Sequence, residues 1–137
     1  MNWPEFIKEH FKDVPYFQHM GVSVLETSYG EAVIEMPSSP AYANTYGITH
    51  GGIVAALVDM AAGVAARTTK RKVLTIEMSA SYFQKISLAD KLTAHAKISH
   101  EGGRILHVET RIKKDDGSLA AQGKVILYVI GEDTGQY

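Results

Sequence analysis

The sequence predicts an α+β fold in which a curved antiparallel β-sheet wraps around one long central helix. The first observation behind this prediction is a long segment, residues 51–67, that is apolar on almost every side. The second is the order of the remaining elements: two strand-like runs precede this segment and four follow it. No internal repeat or linker interrupts the 137 residues. A chain of this length buries one core, so we expect a single domain spanning residues 1–137.

The composition is that of an ordinary globular protein, with 45% hydrophobic and 21% charged residues. A formal net charge of −1 gives no overall attraction to nucleic acid or to anionic lipid. The absence of cysteine excludes disulfides, thiolate metal sites and a cysteine nucleophile. The N-terminal residues carry charges throughout, unlike a signal peptide, and residues 51–66 are too few to span a bilayer. We therefore expect a cytoplasmic protein that binds neither membrane nor nucleic acid.

The first elements are a helix and a pair of strands. A helix over about residues 2–12 is predicted by Asn2 and Pro4 at its start, and Pro15 is expected to end it. Residues 21–28 and 32–36 are predicted strands joined by a turn at residues 29–31. A loop rich in Ser, Pro, Ala, Asn and Gly follows over residues 37–49.

The central helix is predicted over about residues 51–67. A helix that is hydrophobic all round is a buried one. Many side chains of this helix are small, so that other backbones can pack closely against it. These residues are Ala55, Ala56, Ala61, Ala62, Gly63, Ala65 and Ala66. The basic residues 70–72 mark the exit from this helix.

Four strands are predicted after the helix, over residues 73–84, 91–100, 104–113 and 119–130. Apolar and polar residues alternate clearly in the third of these strands. Gly102-Gly103 and Asp115-Asp116-Gly117 favour hairpin turns between the last three. We expect residues 131–137 to be frayed.

Asp59 is the one carboxylate of the apolar helix. An unpaired carboxylate is costly to bury. Its position therefore favours a functional role in a site that is partly shielded from water. The alternative is that the helix is less buried than its composition indicates and that Asp59 meets solvent or a basic partner.

The start of the helix, Thr49-His50-Gly51-Gly52, offers a second functional feature. Because Gly51 and Gly52 lack side chains, a ligand can approach the unpaired backbone N–H groups of the first turn. These groups lie at the positive end of the helix dipole, which suits a carbonyl oxygen that becomes an oxyanion. The alternative is that the glycines only allow a tight turn and that His50 is a capping or loop residue.

The spacing of Gly51 and Asp59 decides whether one chain can hold one substrate with both. Asp59 lies eight residues after Gly51, which is about 12 Å along a helix axis. A reacting carbonyl needs its nucleophile and its oxyanion donor each within about 3 Å. One helix cannot supply both, but a second, antiparallel copy could. If both residues are catalytic, the geometry predicts a two-fold homodimer with two composite sites.

A longer motif connects these features. The segment NTYGITHGG, residues 44–52, is followed by ALVD, residues 56–59. This order of asparagine, His-Gly-Gly and helical aspartate resembles the signature of the hotdog-fold thioesterase superfamily. It is most similar to the acyl-CoA thioesterases of the phenylacetic-acid-degradation type. The resemblance covers residues 20–130, and the spacing matches without gaps from Asn44 to Asp59.

The resemblance implies a homodimer, usually paired into a homotetramer, that hydrolyses acyl-CoA to free acid and coenzyme A. Asp59 is then the nucleophile or the general base, and the Gly51 N–H polarises the thioester carbonyl. Asn44 positions water or the carbonyl, and His50 supports that loop. Thr75 is the hydroxyl residue expected beside the carboxylate, although it could be an ordinary β-branched strand residue.

The expected chemistry needs few groups, because a thiol of pKa near ~8.5 departs without a strong general acid. No cofactor is expected, since the coenzyme A thioester is itself the substrate. The resemblance indicates a set of substrate-binding and coenzyme-A-binding residues: Gly52, Tyr82, Phe83, Lys85, Gly103 and Arg104. The lysine and arginine of this set could equally be plain solvated charges.

Other functions fit the sequence less well. His95, His100 and His107 lie on adjacent predicted strands without a recognised metal-ligand spacing, so no metal is expected. There is no Gly-x-Ser-x-Gly elbow and no phosphate-binding glycine pattern. The alternative of a domain that senses acyl-CoA without cleaving it is not excluded, but such a domain has no need of a desolvated Asp59. A dehydratase of the same fold uses a histidine base, which the aspartate does not fit.

Overall fold

A computed structural model describes residues 2–37 and 39–136. It confirms the predicted fold class, since one six-stranded antiparallel sheet packs around one long helix. The helices are α1 Trp3–His10, α2 Pro15–Met20 and α3 Gly51–Arg67, with 3-10 turns at Phe11–Asp13 and Pro40–Tyr42. The strands are β1 Ser23–Ser28, β2 Glu31–Met36, β3 Arg71–Tyr82, β4 Leu92–Glu101, β5 Ile105–Lys113 and β6 Leu119–Glu132.

The strand order β1-β2-β4-β5-β6-β3 places β3 at one edge of the sheet. This strand has 12 residues, and only β6 pairs with it among the described residues. Leu74 and Ile76 on β3 are 57% and 58% exposed. A long edge strand with exposed apolar side chains is a surface that another chain can cover.

Helix α3 forms the centre of the core and packs against strands β2 to β6 through buried side chains such as Val54, Leu57 and Val64. Each fully buried side chain of this size contributes about 1.5–3 kcal/mol of transfer free energy. Strand β6 passes very close to the helix at Gly123. A Cβ atom there would lie 2.6 Å from the Ser79 carbonyl oxygen and 2.6 Å from a Val58 methyl group. Glycine at this position therefore lets the sheet close on the helix.

The N-terminal segment packs across the C-terminal end of α3. The Trp3 indole N–H donates a 2.8 Å hydrogen bond to the Arg67 carbonyl oxygen. The structure differs from the prediction after His10, because Pro15 also begins a second helix, α2. Proline fits the first turn of a helix, where its missing N–H is not needed. The second helix brings Phe17 against Phe11, with ring centroids 4.7 Å apart.

The prediction that residues 131–137 are frayed is wrong for the described part of this segment. Strand β6 continues through Glu132, and the Asp133 side chain is fully buried. Asp133 forms a 2.6 Å ion pair with Arg67, and its backbone N–H donates to the Lys70 carbonyl oxygen at 2.8 Å. An ion pair between residues so far apart in sequence is invisible to local pattern analysis. The last residue, Tyr137, lies outside the described residues.

None of the helices in residues 2–37 and 39–136 combines the length and the apolar character needed to cross a membrane.

Candidate active site

Asp59 and Thr75 meet between the central helix and the edge strand. Asp59 is half-buried on α3, and Thr75 lies on β3. The Thr75 hydroxyl donates a 2.7 Å hydrogen bond to Oδ1 of Asp59. Within the described residues no donor reaches Oδ2. The carboxylate is thus held at one oxygen and has the other available for water or substrate.

Asp59 opens onto a cavity of about 250 Å³. Mostly apolar and aromatic side chains surround the two polar groups: Phe11, Tyr16, Phe17, Met60, Gly63, Arg67, Val73 and Leu127. The Arg67 guanidinium at one end is paired with Asp133. The cavity therefore offers a mostly hydrocarbon environment next to the Asp59 carboxylate.

His50 caps the start of α3. It has extended backbone angles, φ −64° and ψ 135°, and its Nδ1 accepts a 2.8 Å hydrogen bond from the Gly52 N–H. Accepting at Nδ1 fixes the tautomer with the ring hydrogen on Nε2. The Gly51 N–H, by contrast, has no acceptor among the described residues. Of these two glycines, Gly51 is the one that can donate to a ligand.

Asn44 is held by its own loop. Its Oδ1 accepts from the Tyr46 N–H at 2.9 Å and from the Ile48 N–H at 3.2 Å. Gly47 has φ +77°, a left-handed conformation that glycine adopts easily and that closes this turn. Because its oxygen is committed, the group that Asn44 can offer a ligand is its amide N–H₂, a hydrogen-bond donor.

The loop before α3 is anchored on several sides. The His50 N–H donates to the Tyr42 carbonyl oxygen at 2.8 Å, and the Thr49 N–H donates to the Ile86 carbonyl oxygen at 2.8 Å. The Tyr42 hydroxyl in turn donates to the Met20 carbonyl oxygen at 2.6 Å. Burial raises the pKa of Tyr42, with a smaller contribution from the nearby Tyr16. These bonds fix the position of the helix start.

Asn44 and Gly51 line a second cavity, of about 350 Å³. Its other lining residues are Ile48, Thr49, Val54, Tyr82, Phe83, Gln84, Lys85 and Ile86. The Tyr82 hydroxyl donates a 2.9 Å hydrogen bond to the Gly51 carbonyl oxygen. Among the described residues no carboxylate pairs with Lys85. This cavity combines hydrogen-bond donors, aromatic walls and an available positive charge.

The two cavities share no lining residue, so one chain does not bring Asp59 and Gly51 together. Gly103 and Arg104 lie in the turn between β4 and β5. The Arg104 carbonyl oxygen accepts from the Val129 N–H at 2.7 Å, close to the start of β3. Lys85 follows the opposite end of that strand. The predicted coenzyme-binding residues are therefore also divided between the two ends of β3.

Sequence reasoning missed part of the wall around Asp59. Phe11, Tyr16 and Phe17 come from the N-terminal segment, whose docking no local pattern predicts. Gly63 could have been found, because it lies four residues after Asp59 and thus on the same face of the helix.

Two grooves of larger volume, about 400 and 430 Å³, run along β1, β2 and β4. None of the predicted site residues lines them. The grooves include His95 and His100. In the described ranges, no three histidine or acidic side chains are grouped as a metal site requires.

Comparison with known proteins identifies the family. Residues 46–121 match the family model described as Thioesterase superfamily, which is more than half of the chain. The chain belongs to the thioesterase superfamily. This membership confirms the predicted hotdog-fold thioesterase family and the classification as a thioester hydrolase.

Named relatives agree with this membership. Acyl-coenzyme A thioesterase 13 of Mus musculus is 27% identical over 128 residues, which cover 90% of this chain and 91% of that protein. The E. coli PaaI protein, from the phenylacetic acid degradation operon, has a similar structure with a TM-score of 0.90 at 19% identity, covering 96% of this chain and 97% of that one. A hypothetical thioesterase protein from Streptococcus pneumoniae TIGR4, solved with coenzyme A, gives a TM-score of 0.80 at 21% identity, covering 82% and 91%. At these identities the two structures show the shared fold.

Proposed function

We propose that the protein hydrolyses acyl-CoA thioesters to a carboxylic acid and coenzyme A, at composite sites formed by two copies of the chain. The observation that carries this proposal is that the Asp59 carboxylate, held by Thr75, and the Gly51 N–H, which has no acceptor among the described residues, lie in two different cavities of one chain. The acyl-coenzyme A thioesterase relative and the coenzyme-A-bound neighbour support the substrate class.

Pairing of two copies through the exposed edge strand β3 could bring the Asp59 cavity of one copy next to the Gly51 cavity of the other. Suppose two β3 strands pair antiparallel about a two-fold axis between Met78 and Ser79. Thr75 of one copy then lies opposite Tyr82 of the other, because both are equally far from the axis. The Thr75 hydroxyl is hydrogen-bonded to Asp59, and the Tyr82 hydroxyl is hydrogen-bonded to the Gly51 carbonyl oxygen. Such pairing brings each Asp59 towards the other copy's Gly51 and covers the apolar edge.

The proposed chemistry follows from the groups available. The Gly51 N–H and the Asn44 amide donate to the thioester carbonyl oxygen and stabilise the oxyanion that develops there. Oδ2 of Asp59 either attacks the carbonyl carbon, forming an anhydride that water opens, or takes a proton from the attacking water. Thr75 holds the carboxylate in place. In both routes the C–S bond breaks, the acyl group gains the water oxygen, and the sulfur leaves as a thiolate that is protonated in solution.

Coenzyme A is expected to lie across both copies. Two cations are proposed to bind its phosphates. Lys85 lies at the Gly51 cavity of one copy, and Arg104 lies near the start of β3 in the other copy. A homotetramer, the cytoplasmic location and the absence of a cofactor stay predictions.

The test is a panel of short, long, aromatic and hydroxylated acyl-CoA thioesters, with release of free thiol as the readout. Hydrolysis of at least one of them, at a rate well above that in buffer, is the expected result. If several bind tightly and none is cleaved, the protein is a sensor of acyl-CoA instead. If none binds, the substrate class is wrong.

A further inference from the structure

We propose that Gly63 holds open the part of the Asp59 cavity that receives the acyl group, and that Arg67 and Asp133 close its far end. The acyl group accepted is then a short to medium-length hydrocarbon chain. This inference rests on the proposed function and adds the substrate class and the residues that select it.

Gly63 leaves an open space beside the central helix that helix packing does not require. A Cβ atom at Gly63 would meet no atom of the described residues within 4 Å. Gly123 differs, because a Cβ there would collide with the backbone of β3. Glycine is a poor helix former compared with alanine, and no close contact among the described residues requires it at position 63. The open volume therefore suits an occupant from outside the chain.

The position of Gly63 matches the expected path of an acyl chain. Gly63 lies one turn beyond Asp59 on the same helix face, about 6 Å along the axis. The thioester carbonyl has to lie beside Asp59, so the atoms that follow it extend over Gly63. Phe11 and Leu127, which are 8% and 1% exposed, supply apolar walls. Hydrocarbon is the chemistry that such walls accept at no desolvation cost.

Arg67 marks the end of this path. It lies two turns beyond Asp59, about 12 Å along the axis. Its guanidinium pairs with Asp133 at 2.6 Å and lies over the Phe11 ring, 5.7 Å from the centroid. Pushing a methyl end against this pair would remove the remaining water from the Arg67 guanidinium, which is unfavourable. From this length we expect an extended dodecanoyl chain to be too long for the space and butyryl and octanoyl chains to fit.

The experiment compares Gly63→Val with Gly131→Val. Gly131 lies on β6 outside the cavity, and a Cβ there also meets no atom within 4 Å. The readout is kcat/KM for acetyl-, butyryl-, octanoyl- and dodecanoyl-CoA. We expect wild type to prefer butyryl and octanoyl over dodecanoyl. Gly63→Val should lower the ratio of the octanoyl value to the acetyl value by about tenfold or more. Gly131→Val should keep the wild-type profile.

Binding of non-hydrolysable S-alkyl coenzyme A thioethers, measured by calorimetry, separates this inference from the proposed function. Should no thioester be cleaved, a loss of affinity confined to longer alkyl chains in Gly63→Val would still support the inference. An unchanged chain-length profile in this variant contradicts it. So does loss of self-association together with equal losses for all chains, because a second copy then fills the space over Gly63.

Discussion

The Thr75 hydroxyl donates to Oδ1 of Asp59 at 2.7 Å, across the junction of the edge strand and the central helix. A hydrogen bond from this hydroxyl fixes the orientation of the carboxylate. The Asp59 side chain lines a cavity that is otherwise mostly apolar. This arrangement makes Asp59 and Thr75 the first residues to test.

Asp59→Asn is expected to keep the fold and oligomeric state and to lose hydrolysis by about 100-fold or more, the usual loss when an acid–base group is removed. Thr75→Ser retains the hydroxyl and should stay near wild type, whereas Thr75→Val should lose about tenfold, because the carboxylate is no longer oriented. The measurement is kcat/KM from thiol release. Turnover like wild type in Asp59→Asn would remove this residue from the mechanism.

Gly51 allows the backbone donor to be tested by itself. Proline is well tolerated at the first helical position and replaces the N–H hydrogen with a ring carbon, so Gly51→Pro should fold but lose about 100-fold in kcat. Gly51→Ala is the matched control, because it keeps the N–H and its Cβ would lie at an ordinary 3.7 Å from the Tyr82 ring. Equal activity in the two variants would show that the N–H makes no contribution to catalysis.

Asp133 is expected to stabilise the fold through its buried pair with Arg67. Asp133→Asn removes the negative charge from this pair and should lower the free energy of unfolding by about 3 kcal/mol. The control is Glu9→Gln, which removes an exposed pair with Lys12 and should cause no measurable change. Urea unfolding at one protein concentration compares them. Equal stability of the two variants would contradict the anchoring of the C-terminal segment.

His10 should make stability depend on pH. Burial lowers its pKa from 6.5, the nearby Arg67 lowers it further, and Asp133 and Asp13 oppose the shift. Between the lowered folded pKa and 6.5 the unfolded chain binds more protons, so stability falls as the pH decreases through this window. Above the window the contribution is fully present. His10→Gln should flatten the change in urea midpoint between about pH 7.5 and pH 5. An unchanged slope in this variant would exclude His10 as the cause.

The sequence was sufficient for the fold class because the signals are local. The apolar run that ends at Arg67 is long enough to predict a buried helix, and polar and apolar residues alternate along β5. The motif from Asn44 to Asp59 lies on contiguous elements. The hydrogen bonds inside the Asn44 loop are local too. The sequence does not indicate, however, that Oδ1 of the side chain accepts both of them.

Contacts between distant segments were not predictable in the same way. Pro15 indicated a helix end, and the helix that it begins depends on packing against the core. The bond from Tyr82 to the Gly51 carbonyl oxygen and the ion pair of Arg67 with Asp133 join residues far apart in sequence. The aromatic wall of the Asp59 cavity arises from the same long-range docking.

The most direct test of the shared active site mixes two inactive variants, Asp59→Asn and Gly51→Pro. In a mixed dimer one composite site carries both substitutions and the other carries neither. Random exchange of subunits therefore restores about a quarter of wild-type activity if each site takes Asp59 from one copy and Gly51 from the other. If each site belongs to a single chain, every site keeps one defect. Activity of the re-associated mixture that is no higher than that of the separate variants would contradict the composite site.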